Sequence, residues 1–375
     1  MYFCLQKITM FFSISAIIIL SSYTHLCECD NLSLEQIYKK GLQAYSRQDW
    51  TECVVQFEEA ITLYKLYKTI IINCRHKCKS KWSTFENIIT DDFEDLKQYE
   101  RLFHISSCLM VCQETEFNRV SLKNNVPDSL LSKIIDLQPY EYLQVCYYQT
   151  NHLQKAASAA ATYLVVHPDD SIMKSNLQQY IRLAKLSPDD IVNLEADKYT
   201  SLYDLATKAY SNKDWRETVD LMENAIKKYL SSEESCRMAC EQLPEQEWSS
   251  ELMVTLSNAI ASLLDCQQQC QTRLKSIGYN SGIDFLSEAL NYLQISYYNL
   301  NLIEDAAKAT ASALLLKPGD EIMLENKEIY STLTEPSSFV ERSDMQFYLK
   351  RDNYEKELLE LYLHENPNFY STETQ

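Results

Sequence analysis

Residues 44–64 read AYSRQDWTECVVQFEEAITLY, and residues 209–229 read AYSNKDWRETVDLMENAIKKY. Ala44, Tyr45, Asp49, Trp50, Glu52, Ala60, Ile61 and Tyr64 return as Ala209, Tyr210, Asp214, Trp215, Glu217, Ala225, Ile226 and Tyr229. Each block predicts a helical hairpin. An Ala-Tyr helix end meets a polar turn, Ser46-Arg47-Gln48-Asp49, and Trp50 opens a helix with Val54, Phe57, Ile61 and Tyr64 at helical spacing. A hairpin cannot bury its apolar face alone, so a duplicated hairpin implies stacked neighbours.

A second block repeats further along. Residues 142–173 (YLQVCYYQTNHLQKAASAAATYLVVHPDDSIM) match 292–323 (YLQISYYNLNLIEDAAKATASALLLKPGDEIM). The offset falls from 165 in the first block to 150 here, so the middle of the first copy is about 15 residues longer. Tyr142 to Tyr148 predicts one helix, Gln149-Thr150-Asn151 a turn, and Ala156 to Val166 the next helix. Ala156, Ala157, Ala159, Ala160 and Ala161 let two helices approach closely, and His167-Pro168-Asp169-Asp170 ends the second. Paired antiparallel helices with small or aromatic packing residues and a proline after the second form a tetratricopeptide-like grammar. The predicted fold is all-α: a duplicated array of helical hairpins.

Composition agrees with that class. Only 4 of 375 residues are glycine, too few for the turns and bulges of a sheet protein, while 46% are hydrophobic, enough for a core. The formal net charge of -18 argues against nucleic acid and anionic membranes and favours a basic or largely uncharged partner. At the N-terminus, Lys7 precedes the apolar run Met10 to Leu20, which is too short to span a bilayer and reads as a signal peptide cleaved between Ser22 and Cys29. Asn31-Leu32-Ser33 is an N-glycosylation sequon. The expected division is a signal peptide over 1–29, a first helical unit over 30–186, a second over 187–335, and capping helices with a polar tail over 336–375. Within the last, 337–362 reads as a helix pair.

Passage through an oxidising compartment gives the 13 cysteines weight. Eight form Cys-x-x-x-Cys pairs: Cys74/Cys78, Cys108/Cys112, Cys236/Cys240 and Cys266/Cys270, two pairs per copy. On a helix, i and i+4 share a face about 6 Å apart along the axis. Antiparallel packing meets such pairs in reversed order, predicting Cys74–Cys112 with Cys78–Cys108 and Cys236–Cys270 with Cys240–Cys266. Four cysteines allow three pairings, so spacing alone leaves the connectivity open. A zinc site would use shorter spacings or knuckle turns, and redox catalysis a Cys-x-x-Cys, which is absent. Cys53 and Cys146 face Thr218 and Ser296 in the other copy and are read as buried free thiols.

The paired Asp-Trp hairpins, the four Cys-x-x-x-Cys pairs, the two Tyr-Leu-Gln-x-x-Tyr-Tyr segments and the turns at Pro168-Asp169 and Pro318-Gly319 together resemble the leprecan family over about residues 33 to 360. The resemblance implies residence in the endoplasmic reticulum lumen, with secretion to the extracellular matrix as the alternative, and work on procollagen chains. It also implies two partners, a prolyl 3-hydroxylase catalytic subunit and a cyclophilin-type prolyl isomerase. The enzymes of the family add an iron- and 2-oxoglutarate-dependent domain, which needs His-x-Asp/Glu and a distal His. Only His167-Pro168-Asp169 fits that pattern, and its counterpart is Lys317-Pro318-Gly319, so it reads as a helix-ending turn. The resemblance therefore points to the non-catalytic members: no catalytic residue, no cofactor, no metal. The alternatives are a short form of the enzyme or a general secretory adaptor. The ending Ser371-Thr372-Glu373-Thr374-Gln375 lacks a retrieval tetrapeptide, so a partner is expected to hold the chain in the reticulum. Tyr147-Tyr148 and Tyr297-Tyr298 read as packing residues, with a groove for a proline-rich strand as the alternative. The acidic runs Asp91-Asp92 and Glu94-Asp95 read as solvated loop.

Overall fold

A computed structural model describes residues 33–83, 92–187, 190–241, 250–274 and 280–365. The signal peptide and Asn31 lie outside these residues. The described elements are helices. The first copy comprises α1 (Leu34–Ser46), α2 (Trp50–Ser83), α3 (Glu94–Arg119), α4 (Asp128–Ile135), α5 (Gln138–Gln149), α6 (Leu153–Leu164) and α7 (Ser171–Ala184). The second comprises α8 (Lys198–Ser211), α9 (Trp215–Ala239), α10 (Leu252–Arg273), α11 (Gly282–Asn299), α12 (Ile303–Leu316) and α13 (Glu321–Ser331). A 3-10 turn (Pro336–Ser338) and α14 (Ser343–Glu365) follow. α4 occupies the longer middle of the first copy and has no helical counterpart among the described residues of the second.

Local chemistry sets the hairpin turns. Gln48, Asn151, Lys213 and Asn301 all adopt the left-handed conformation, with φ of 60°, 62°, 61° and 61°. In the first, the Asp49 N–H reaches back to the Ala44 carbonyl and the Gln48 N–H to Tyr45; the same pair of bonds recurs in the other three turns. This closure uses up carbonyls that a helix end leaves open. Asp49 and Asp214 then accept from the N–H of Glu52 and Glu217, starting α2 and α9. Asp170 and Asp320 cap α7 and α13 in the same way, through the N–H of Met173 and Met323.

Two large hydrophobic clusters form, with a small third of Ala306, Ala307 and Tyr330. One gathers side chains from Leu34 to Tyr180, the other from Tyr199 to Tyr348. Small residues bring helices together: Ala156, Ala157, Ala159 and Ala160 of α6 and Ala306, Ala307 and Ala313 of α12 are all closed to solvent. The aromatic pattern repeats as well. Tyr45 sits edge-on to Trp50 and Tyr142, as Tyr210 does to Trp215 and Tyr292. The clusters are bridged where α2 meets α9. Arg75 donates to the carbonyls of Met238 and Ala239 at the end of α9, and Lys79 pairs with Glu241. Both bonds place positive charge at a helix C-terminus, where the carbonyls lack partners.

The segment expected as a helix pair is one helix. Nothing in Ser343–Glu365 breaks it: the stretch has neither glycine nor proline, and Asp352, at its middle, is buried. The Asp352 carboxylate accepts from Gln271 (2.8 Å) and from Lys356 (2.7 Å), so its charge is satisfied in place rather than in a turn. Glu94 and Asp95, read as loop, form the exposed first turn of α3, where acidic side chains suit the dipole.

Candidate interaction surface

The long hairpins α2/α3 and α9/α10 carry the cysteine pairs. The structure joins Cys74 to Cys112 and Cys78 to Cys108, with Cα separations of 5.8 Å each. It joins Cys236 to Cys270 and Cys240 to Cys266, at 5.9 and 5.8 Å. Successive cysteines on one helix are one turn apart, so antiparallel neighbours accept two rungs without bending. The staples hold second limbs that bury few side chains of their own: Phe117 in α3, and Thr255, Ala261 and Cys270 in α10.

Cys53 and Cys146 are not free thiols. Both are buried, but they form a fifth disulfide among the described residues, with a Cα separation of 6.2 Å. It ties α2 to α5 and therefore crosslinks two hairpins rather than the limbs of one. A reading built on i,i+4 pairs and on repetition passes over it, because it has neither property. The signal was that both members change together, to Thr218 and Ser296. Those two are also fully buried, and each hydroxyl donates to its own helix, to the carbonyls of Asp214 and Tyr292.

His167 serves a packing role. Its ring lies over Tyr163, 4.3 Å between centroids, and Nε2 meets the Asp136 carbonyl oxygen at 2.9 Å. Among the described residues no three His, Cys, Asp or Glu side chains gather as metal ligands. No helix of the described residues is long and apolar enough to cross a membrane.

The paired tyrosines anchor one hairpin to the next. The Tyr147 hydroxyl donates to Glu58 (2.6 Å), and the Tyr297 hydroxyl to Glu223 (3.1 Å), the same position one copy later. Burial and then the carboxylate acceptor push the Tyr147 hydroxyl well above its ordinary pKa; burial and the Glu223 charge do so for Tyr297. Lys155 completes the first site at 3.3 Å from Glu58, and Arg342 the second at 2.6 Å from Glu223. Behind them, Tyr148 packs on Tyr180 and Tyr298 on Tyr330. Tyr180 and Tyr330 donate to Gln144 and Gln294, and burial raises both to about 12. Tyr147, Tyr297, Tyr180 and Tyr330 stay protonated donors at neutral pH, so they fix geometry rather than carry protons.

The turn edge of the first unit is open. Gln48, Asp49, Trp50, Val54, Gln149 and His152 line a groove of about 640 Å³ between the α1/α2 and α5/α6 turns. An indole flanked by amide side chains offers a flat apolar face with hydrogen-bonding groups on either side, suited to an extended strand.

A profile for the Leprecan family TPR-like repeat region matches residues 33–334. The chain is 30% identical over 342 residues to prolyl 3-hydroxylase 1 of Gallus gallus, covering 87% of this chain and 46% of that protein. It is 29% identical over 301 residues to cartilage-associated protein of Mus musculus, covering 80% and 74%. It is 26% identical over 361 residues to endoplasmic reticulum protein SC65 of Homo sapiens, covering 92% and 82%. The chain thus spans about half the length of the prolyl 3-hydroxylases it matches and most of the length of the other two. With the repeat-region match running from the first described helix to the end of α13, the chain belongs to the leprecan family.

Proposed function

We propose that the chain is a non-enzymatic scaffold subunit of a collagen prolyl 3-hydroxylation complex in the endoplasmic reticulum lumen. The observation that carries this reading is the match to the leprecan repeat region over residues 33–334, nearly the whole described chain. Relatives spanned over most of their length are named cartilage-associated protein and endoplasmic reticulum protein SC65. A stapled helical array supports such a role, because it presents a long, rigid side-chain surface while its polar groups are spent on packing. The partners are a prolyl 3-hydroxylase and a cyclophilin-type isomerase, with procollagen strands seated in the groove beside Trp50. A native pull-down of the tagged chain from collagen-secreting cells is expected to recover both partners, and recovery of neither overturns the reading. Trp50→Ala is expected to lower retention of the purified chain on denatured collagen at least several-fold with all five disulfides intact; unchanged retention removes the groove from the proposal.

A second reading has its own support. The chain is also 30% identical to the corresponding part of prolyl 3-hydroxylase 1. It would then be the repeat portion of an enzyme. Reading the transcript beyond Gln375 separates the two: a continuation that encodes a His-x-Asp/Glu and distal-His domain favours that reading, and a stop codon favours the scaffold.

A further inference from the structure

The groove beside Trp50 is lined by a histidine whose hydrogen bonds fix which ring nitrogen carries the proton. Thr150 Oγ1 lies 2.9 Å from the Cys146 carbonyl oxygen and 3.2 Å from that of Tyr147. Carbonyls only accept, and two oxygens this close repel unless a proton lies between them, so the one hydroxyl proton of Thr150 is turned to its own helix. His152 Nδ1 stands 3.0 Å from the same Oγ1. The ring nitrogen is then the donor, and the hydroxyl accepts. In the neutral ring this leaves Nε2 as an acceptor. Nε2 has no bonding partner among the described residues, and the ring stands exposed at the groove wall with Gln149.

The turn itself does not need this pair. In the second copy Leu300 takes the place of Thr150, and Leu302 that of His152. The backbone is the same: His152 has φ -96° and ψ 64°, Leu302 φ -96° and ψ 67°. So are the closing bonds, from the His152 N–H to the Tyr147 carbonyl at 2.8 Å and from the Leu302 N–H to the Tyr297 carbonyl at 2.9 Å. Leucine thus builds the hairpin as well as histidine does. On the facing helix Val55 of the groove becomes Asp220, so an apolar lining residue changes together with the imidazole. The Thr150–His152 pair belongs to the groove and not to the fold.

We propose that His152 selects what the groove holds: its neutral imidazole accepts at Nε2 a hydrogen bond from a backbone N–H of a single extended strand, while the Trp50 indole covers the strand's apolar side. A strand in the polyproline II form makes no internal hydrogen bonds, so the N–H groups of its non-proline residues are open to such an acceptor. The inference rests on the collagen reading of this groove and adds its specificity and its control. Histidine changes charge between about pH 5 and 8. Protonation turns Nε2 from acceptor into donor and sets it against the strand's N–H, so acid releases the strand. The charged side chain that shares the groove with the ring is Asp49, which caps α2 through the Glu52 N–H. On the ring's own helix Lys155 is paired with Glu58.

The test measures retention of the purified full chain on immobilised heat-denatured collagen, at constant salt, from about pH 7.5 to about pH 5.5. Wild type is expected to lose retention several-fold over that interval. His152→Leu, which copies the second unit, is expected to bind several-fold more weakly at the upper pH and to lose nothing further in acid. His152→Gln carries an acceptor that does not titrate, and is expected to recover part of the lost retention without regaining the pH response. Unchanged helical circular dichroism and intact disulfides by peptide mapping show that the fold is kept. Wild-type retention that does not change with pH overturns the proposal, and so does a His152→Leu chain that keeps the wild-type response. If Trp50→Ala still loses retention in either case, the collagen reading of the groove stands without this inference. A Trp50→Ala chain that binds like wild type removes both.

Discussion

Gly41 shows how narrowly single side chains are matched in the array. A Cβ at this position would lie 3.1 Å from the ring of Phe57. That ring has no room to retreat: it is fully buried, stacked on Tyr142 at 5.3 Å and edge-on to Tyr38. In the second copy the same two positions hold Ala206 and Met222, both fully buried, so the larger residue on one helix is matched by the smaller on the other. Gly41→Ala gains about 0.5–1 kcal/mol of helix propensity but overfills the contact at about 1–3 kcal/mol. The net expectation is a loss read as a lower urea midpoint, with Phe57→Met added to Gly41→Ala restoring part of it. A rise in midpoint for Gly41→Ala alone would show the ring to be movable. Asp344 gives a residue-scale prediction in pH. Burial raises its pKa, but the Arg342 guanidinium (3.0 and 3.1 Å) outweighs this and holds it below 3.8. A lowered carboxylate pKa adds stability above the unfolded value, lost as pH falls through the folded value. Acidification below about pH 3.8 is therefore expected to loosen the start of α14, and Asp344→Asn to remove that part of the pH dependence in thermal melts.

Among the elements, the hairpins are held by covalent bonds where burial is thin and by packing where it is dense. Each nested staple closes 26 to 38 residues, worth roughly 3–4 kcal/mol in the chain-entropy account, less for the second of a nested pair. The Cys53–Cys146 bond spans 93 residues and fixes α2 against α5, an orientation that the second unit sets with side chains alone. Replacing both with the residues of the second copy, Cys53→Thr with Cys146→Ser, is expected to cost up to about 4 kcal/mol in denaturant unfolding. The converse change, Thr218→Cys with Ser296→Cys, should close a sixth disulfide detectable by non-reducing peptide mapping. Two free thiols at these positions would mean that α9 and α11 meet at a different register from α2 and α5.

A polar seam between α2 and α9 is one of the places where the two units meet. Arg75 follows the first clip cysteine of unit one and binds the end of α9; Arg237 follows the first clip cysteine of unit two and pairs with Glu355 of α14. The same residue thus connects each unit to whatever comes next in the stack. Arg75→Met keeps volume but leaves two helix-end carbonyls short of a donor, at about 1–3 kcal/mol. Wild type is expected to unfold in one transition and the variant in two, seen by circular dichroism in urea. A single transition at an unchanged midpoint would place the coupling elsewhere.

Local pattern by itself determined the helices, the duplicated hairpins and the family. Apolar spacing, capping aspartates and the two repeated blocks are written in neighbouring residues, and helices are made of neighbouring interactions. The i,i+4 cysteines were legible for the same reason, since their geometry follows from one turn of helix. Three features needed the folded chain. The Cys53–Cys146 bond joins residues whose proximity depends on how two hairpins pack, the burial of the charged Asp352 in the middle of α14 depends on Gln271 meeting it, and the bare face of α3 shows only beside its equivalent on α10, which α14 covers. Nothing local encodes these: sequence spacing fixes which face a residue takes on its own helix, and only the packing of helices on one another decides what that face meets.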